Sequence, residues 1–328
     1  MGKRIAVFLL GLLALSSCKD ELPDPPKVDD KPVKIERVIT PQFNPDSAYN
    51  FIQKQVDFGP RVPNSKAHLA CAAWLDYKLQ SFGAKTLIQK GVVTAFTGEK
   101  LNIQNIIGQF SPEKSKRILL FAHWDTRPVA DKDTKDTRKP IDGANDGGSG
   151  VGVLLEMARQ FSLKEPKYGV DIIFFDAEDY GTFTWVENYD QDSWCLGSQY
   201  WGKNPPIANY NPNFGILLDM VGEKEVQFKL EAYSMQFAPQ LMQKVWKKAG
   251  RLGYSHHFVN QRTGPITDDH LYVNTLANIP SIDIIGMSAA SGGFGDYHHT
   301  HEDNMDIIDK NSLKAVGQTV MEIVYQEK

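Results

Sequence analysis

Cysteine is scarce in this chain, with three in 328 residues, at positions 18, 71 and 195. Beyond Cys18 only one pair could form, and spacing alone cannot bring Cys71 and Cys195 within bonding distance. Cys71 sits in an apolar helical pattern and reads as a small buried hydrophobe. Basic residues are outnumbered, 36 Lys and Arg against 40 Asp and Glu, for a net charge of -4. With no basic stripe to meet phosphates, nucleic acid is excluded as a partner. Repeats at solenoid periods are absent. The hydrophobic share of 41% and charged share of 23% are ordinary for a globular protein. The length allows one large domain or two small ones.

The N-terminus has a targeting pattern. Lys3 and Arg4 precede an apolar run, Ile5 to Leu15, of about eleven residues, too short to span a bilayer but suited to a signal peptide. It ends in Leu15-Ser16-Ser17-Cys18, which resembles a bacterial lipobox with Cys18 as the lipidated residue. The expected organisation is a signal peptide over 1–17, a flexible tether over 18–44 rich in Pro, Asp and Lys, and one catalytic domain over 45–328. The expected location is an exported lipoprotein anchored to a membrane, at the periplasmic face or the cell surface.

The domain should open with a helix capped by Asp46 and running to Phe58. A second helix is expected over Ala67 to Phe82, with Leu69, Ala73, Leu75 and Leu79 near one face. Apolar runs then alternate with helical patterns. The runs are Ile118–Ala122, Val170–Phe175, Phe214–Leu218 and Ser281–Ile285; the helices are Val151–Phe161, Pro239–Leu252 and Asn311–Tyr325. Such runs suit strands buried on both faces, so the fold class is a three-layer α/β/α domain with a mostly parallel, mixed sheet. Val226 to Tyr233 alternates and should be an edge or antiparallel strand. The charged stretch Asp131 to Lys139 should be a solvated loop, as should His256 and His257.

Polar residues follow each apolar run. His123-Trp124-Asp125 follows the first, Asp176-Ala177-Glu178-Asp179 the second and Asp219 the third. The fourth leads through a Gly-rich loop to His298-His299-Thr300-His301, and Asp146 precedes a Gly-rich helix start. Sites in parallel sheets form beyond the carboxyl ends of strands. One edge should therefore gather His123, Asp146, Glu178, Asp179, Asp219 and His299. Two carboxylates and an imidazole form a catalytic zinc set with one position open.

The segments Gly143-Ala144-Asn145-Asp146-Gly147-Gly148-Ser149-Gly150, Phe174-Phe175-Asp176-Ala177-Glu178-Asp179 and His299-Thr300 resemble the zinc aminopeptidase superfamily. Within it the pattern is most similar to the bacterial glutaminyl-peptide cyclotransferases, or glutaminyl cyclases. The resemblance implies a zinc-hydrolase fold with one zinc per chain. It implies Asp146, Asp179 and His299 as metal ligands, Glu178 as general acid and base, and Asp219 and Asp268 as a carboxylate pair assisting turnover. His123 would stand behind the ligands. The expected substrates are peptides or proteins with N-terminal glutamine.

Two enzyme readings stay open. A two-zinc aminopeptidase would use Asp146 as bridge, with His123 and Asp219 on one metal and Asp179 and His299 on the other. The cyclase is favoured by Asp268, an acid that would share a proton with Asp219 and remove it as a ligand. A cyclase pocket should be small and partly aromatic, with Trp185, Trp194, Ile266 and Phe294 as candidate walls. Related cyclases carry Trp before the metal His, whereas this chain has His298, so Phe294 or Tyr297 could form that wall. A third reading is a non-catalytic surface-binding lipoprotein, which loss of Glu178 or of a ligand would have favoured.

Overall fold

A computed structural model describes residues 2–3 and 39–328; most of the signal segment, Cys18 and most of the tether lie outside the described residues. The first helix, α1 (Pro45–Val56), is capped by Asn44, whose side chain accepts from the amides of Asp46 and Ser47. The sequence pointed to Asp46. Pro45 moves the start earlier, because its fixed φ suits the first helical position and it has no N–H to satisfy there. Helix α2 (Lys66–Ser81) is capped by Ser65 and buries His68, Cys71, Ala72, Leu75 and Leu79. Leu69 and Ala73 point outward instead. Cys71 is buried, and both Cys71 and Cys195 are free thiols.

Next come β1 (Lys85–Thr94), β2 (Lys100–Phe110), β3 (Arg117–His123), α3 (Gly148–Leu163), β4 (Gly169–Phe175), α4 (Leu196–Lys203) and β5 (Gly215–Asp219). Then follow β6 (Gln227–Leu230), α5 (Ala232–Phe237), α6 (Pro239–Arg251), β7 (Phe258–Arg262), α7 (Asp269–Ala277), β8 (Ser281–Met287) and α8 (Lys310–Tyr325). The strands form one sheet in the order β1-β2-β4-β3-β5-β8-β6-β7. Its centre, β4-β3-β5-β8, is parallel, and antiparallel pairing joins it to β2 and β6. The fold is the expected mostly parallel, mixed α/β sheet. The alternating stretch at Val226 yields the short β6, antiparallel to β8 but not an edge, because β7 covers its far side.

Strand alternation divides the core. Ile118, Leu120, Ala122, Val170, Ile172 and Phe174 face a layer containing residues of α1, α2, α3, α6 and α8. Leu119, Phe121, Ile173, Phe175 and Leu217 face Trp201 of α4 and Val273 of α7. The acid inside β4 survives burial because it is fully paired: Arg117 donates to Asp171 at 2.8 and 2.6 Å, and the Tyr210 hydroxyl donates at 3.0 Å. His257, expected in solvent, is buried with its Nδ1 2.8 Å from the Val226 carbonyl.

Candidate metal and catalytic centre

Because β3, β4, β5 and β8 run parallel, their carboxyl ends share one edge of the sheet. His123 and Asp219 are the last residues of β3 and β5, and Glu178 and Asp179 lie just past β4. Asp146 sits two residues before α3, and His299 lies in the loop after β8. All are buried, as is Asp268.

Nε2 of His299 is 3.2 Å from Oδ1 of Asp179 and 3.8 Å from Oδ2 of Asp146. Donors at about 2.0–2.1 Å around a tetrahedral zinc stand roughly 3.3 Å apart, so His299 stands near such a separation from each carboxylate. Nε2 of His298 is also 3.8 Å from Oδ2 of Asp146, and Asp146, His298 and His299 form a group that could hold an ion. Oδ2 of Asp179 is buried with no hydrogen-bond partner, a costly state that a cation relieves. Burial, and then the charge of Arg127, holds His299 well below the ordinary histidine range, which keeps the imidazole in the neutral form that ligates metal. Burial, with the charge of Asp146 beside it, pushes the Asp179 carboxyl well up.

Backbone amides held by buried acids set these positions. Asp125 accepts from the amides of Glu178 (3.0 Å) and Asp179 (3.2 Å). Asp303 accepts from those of Asn145 (2.7 Å) and Asp146 (3.0 Å). Arg61 is wholly buried and donates to the carbonyls of Trp124, Asp142 and Gly143, tying the loop that carries Asp146 to the end of β3. Gly147 must lack a side chain, since a Cβ there would lie 2.6 Å from the His123 carbonyl oxygen.

His123 bridges two acids. Its Nε2 lies 3.1 Å from Oδ1 of both Asp146 and Asp219, and its Nδ1 lies 3.5 Å from Oδ1 of Asp125. Burial opposes its charge, but the carboxylates of Asp125, Asp146 and Asp219 around it raise it well above the ordinary range. His123, Asp146 and Asp219 could themselves hold an ion, so the ligand set of a second metal is present.

Glu178 has its carboxyl raised well above the ordinary range, chiefly by burial, against the pull of His123 and with the repulsion of Asp268. Burial, only partly offset by His123, lifts Asp219 to about 6. Burial and the charge of Asp219 lift Asp268 to about 7. Two neighbouring acids with raised values resist ionising together, and Oδ2 of Asp268 is buried without a hydrogen-bond partner.

These groups open into a cavity of about 520 Å³. Trp194, Ile266 and Phe294 line it; Trp185 does not, and Phe183, Val186 and Tyr189 of the same loop do. Trp185 turns outward, 37% exposed, with the Arg138 guanidinium 3.9 Å over its ring. The Trp194 ring stacks on His299 at 5.8 Å and 11°, and Gly181 leaves it room, since a Cβ there would lie 1.9 Å from the indole. His298 forms a wall, packed on Phe294 with centroids 4.5 Å apart. Tyr297 is buried, its oxygen accepting from Asn145 Nδ2 at 2.8 Å.

Residues 105–324 match the model of peptidase family M28. The chain belongs to that family. Among solved structures, it is similar to the glutaminyl cyclase of Bacteroides thetaiotaomicron, at 54% identity over 88% of this chain and 100% of that one, with a TM-score of 0.87. It is similar to the glutaminyl cyclase of Tannerella forsythia, at 55% identity over 88% and 100% with a TM-score of 0.86. A Zn-dependent exopeptidase of Parabacteroides distasonis stands equally near, at 54% identity over 88% and 100% with a TM-score of 0.86. The chain spans about half the length of curated relatives it matches, 46% of an aminopeptidase of Bacillus subtilis.

Around the candidate site this M28 chain holds buried polar residues that its sequence did not single out. Asp131, expected in solvent, is buried and takes paired hydrogen bonds from Arg127 at 2.7 Å. Arg127 also reaches the carbonyl of Asp179 at 3.1 Å. Lys132 Nζ is 2.6 Å from Nδ1 of His298. Cys195 donates its thiol proton to Oε1 of Glu178 at 3.1 Å. One signal was available: Arg127 and Asp131 stand four residues apart directly after a core strand.

Proposed function

We propose that this M28 chain is a zinc-dependent glutaminyl cyclase, converting N-terminal glutamine of peptides or proteins to pyroglutamate with release of ammonia. The observation that carries this is similarity, above half identity over 88% of this chain and the whole of theirs, to two solved glutaminyl cyclases. Zinc held by Asp146, Asp179 and His299 would supply a Lewis acid that polarises the γ-carbonyl. The substrate brings its own nucleophile, so the α-amine attacks the γ-amide carbon and the bond to the amide nitrogen breaks. Glu178 takes the proton from the amine and returns it to the departing ammonia, and its raised basicity suits both steps. The cavity beside Trp194, Ile266 and Phe294 holds the folded-back side chain.

We also propose one zinc per chain. His123, held in its charged form between Asp146 and Asp219, supplies positive charge where a second ion would stand, and the charge coupling between Asp268 and Asp219 weakens Asp219 as a ligand. The two-zinc aminopeptidase remains the second reading, since His123, Asp146 and Asp219 stand at metal-binding separation. Purified protein should release ammonia from a Gln-initiated peptide, carry one zinc and leave Leu-p-nitroanilide intact. Two zinc ions with robust aminopeptidase turnover would overturn the cyclase.

The sequence of residues 1–18 supports export and a lipid anchor on Cys18. Labelled palmitate should enter the wild-type chain in a bacterial host and not Cys18→Ala; equal labelling of both would refute the anchor.

A further inference from the structure

Glu178 needs a fixed orientation if one carboxylate is to collect a proton and hand it on. Its second oxygen stands 4.0 Å from Nδ1 of His123, beyond hydrogen-bond reach. Among the described residues, the one donor to its side chain is the thiol of Cys195, at 3.1 Å.

The backbone is built to make this contact. The Cys195 amide donates to the Glu178 carbonyl at 2.9 Å, and the Leu196 amide to the Ala177 carbonyl at 3.0 Å. Ala177 and Cys195 both adopt the left-handed conformation, with φ of 51° and 56°. Such strain in non-glycine residues persists where surrounding structure enforces it, commonly at functional sites. Gly197 seals the junction, since a Cβ there would lie 2.1 Å from the Asp176 carbonyl oxygen. The start of α4 is thereby clamped onto the turn that carries Glu178, and Trp194, Leu271 and Tyr272 wall in the sulfur.

We propose that Cys195 is a positioning residue, whose thiol holds the Glu178 carboxylate in the orientation that proton transfer requires. This rests on the acid–base role given to Glu178 above. Burial and the charge of Glu178 push the thiol well up, so the S–H remains a donor at neutral pH. A buried cysteine serving only as a small hydrophobe would gain nothing from pointing at a carboxylate.

The test compares Cys195→Ala and Cys195→Ser with wild type on a Gln-initiated peptide, with zinc content and melting temperature measured on the same samples. Ala removes the donor and should lower kcat about tenfold, or ~1.4 kcal/mol, leaving KM and zinc content unchanged. Ser restores a donor and should bring kcat back to within about threefold of wild type. A packing role predicts the reverse, with Ala near wild type and Ser destabilised by its buried hydroxyl. Wild-type kcat in Ala, or a Ser variant as slow as Ala, overturns the proposal. Should neither variant fold, the infrared S–H stretch decides: a hydrogen-bonded band that moves in Glu178→Gln supports it, and an unmoved band refutes it. That band is independent of turnover, so an inactive wild type would refute the cyclase and leave the Cys195 contact still tested.

Discussion

Oδ1 of Asp131 lies 3.5 Å from Nδ1 of His299, and the same carboxylate is clasped by Nε and Nη2 of Arg127 at 2.7 Å. If His299 holds the metal as proposed, an acid beside its ring would raise its basicity; here the influence is one of charge, since Nδ1 of His299 has no hydrogen-bond partner. Burial alone would raise the Asp131 carboxyl, but the pull of Arg127 outweighs it and holds the group below the ordinary range.

Asp131→Asn should therefore weaken zinc binding by about 10–100-fold, measured by competition with a chelator. It also leaves the buried Arg127 without its counter-charge, so the melting temperature of the metal-free protein should fall. Unchanged zinc affinity would mean that His299 binds without help from the charge of Asp131.

Glu178→Gln keeps the shape of the side chain and removes its basicity. Turnover of a Gln-initiated peptide should fall by about 10²–10⁴-fold, while zinc content stays at the wild-type level. Loss of zinc instead would make Glu178 a ligand and displace Asp179 from that role.

The strands were legible as apolar runs, and two residues of the candidate site, Asp219 ending β5 and His123 ending β3, follow such runs directly, whereas Asp146, Asp268 and His299 stand in loops. The supporting acids were not legible, because their partners are remote in sequence. Asp303 grips the amide of Asn145 across 158 positions, and Asp125 grips that of Glu178 across 53. The β1–β2 hairpin escaped for another reason. The sequence of β1, KTLIQKGVVT, leaves most of its side chains wholly or partly exposed, so it has no continuous apolar run. Trp185 was misplaced because its loop has no regular alternation to read: Thr182, Phe183, Thr184, Val186 and Tyr189 line the cavity and Trp185 does not.

Asp268 should cost stability at high pH. Its folded value of about 7 lies above the ordinary carboxylate value, because burial and the charge of Asp219 disfavour ionisation. A group raised in the folded state contributes stability that is full below its unfolded value, near pH 4, and is lost as pH rises through about 7. Asp268→Asn removes that loss. The metal-free variant should match wild type near pH 4 and exceed it by at least ~1 kcal/mol at pH 8, a tenfold change in proton affinity being worth about 1.4 kcal/mol. Turnover should fall in the same variant, since the acid whose charge couples to Asp219 is gone. A stability gain that does not grow with pH would show that Asp268 ionises freely.

Glu231 presents the opposite sign. It is buried and accepts from the amides of Tyr233 (2.8 Å), Ser234 (2.6 Å) and Ile266 (3.0 Å) and from the Ser234 hydroxyl (2.8 Å). Nε2 of His270 lies 3.1 Å from its Oε2. Burial alone would raise this carboxyl, but the His270 contact and the amides hold it at about 2. A value depressed in the folded state contributes stability that is present above the unfolded value, near 4.3, and is lost as pH falls from there towards 2. Glu231→Gln should therefore destabilise the protein at pH 7 by roughly 2–4 kcal/mol, since an amide donates where three amides and a hydroxyl need an acceptor. The gap to wild type should narrow below pH 4, read from denaturant melts at several pH values. Because Ile266 lines the cavity and hangs on this carboxylate, KM for a Gln-initiated peptide should rise in the folded fraction; an unchanged KM would confine Glu231 to capping α5.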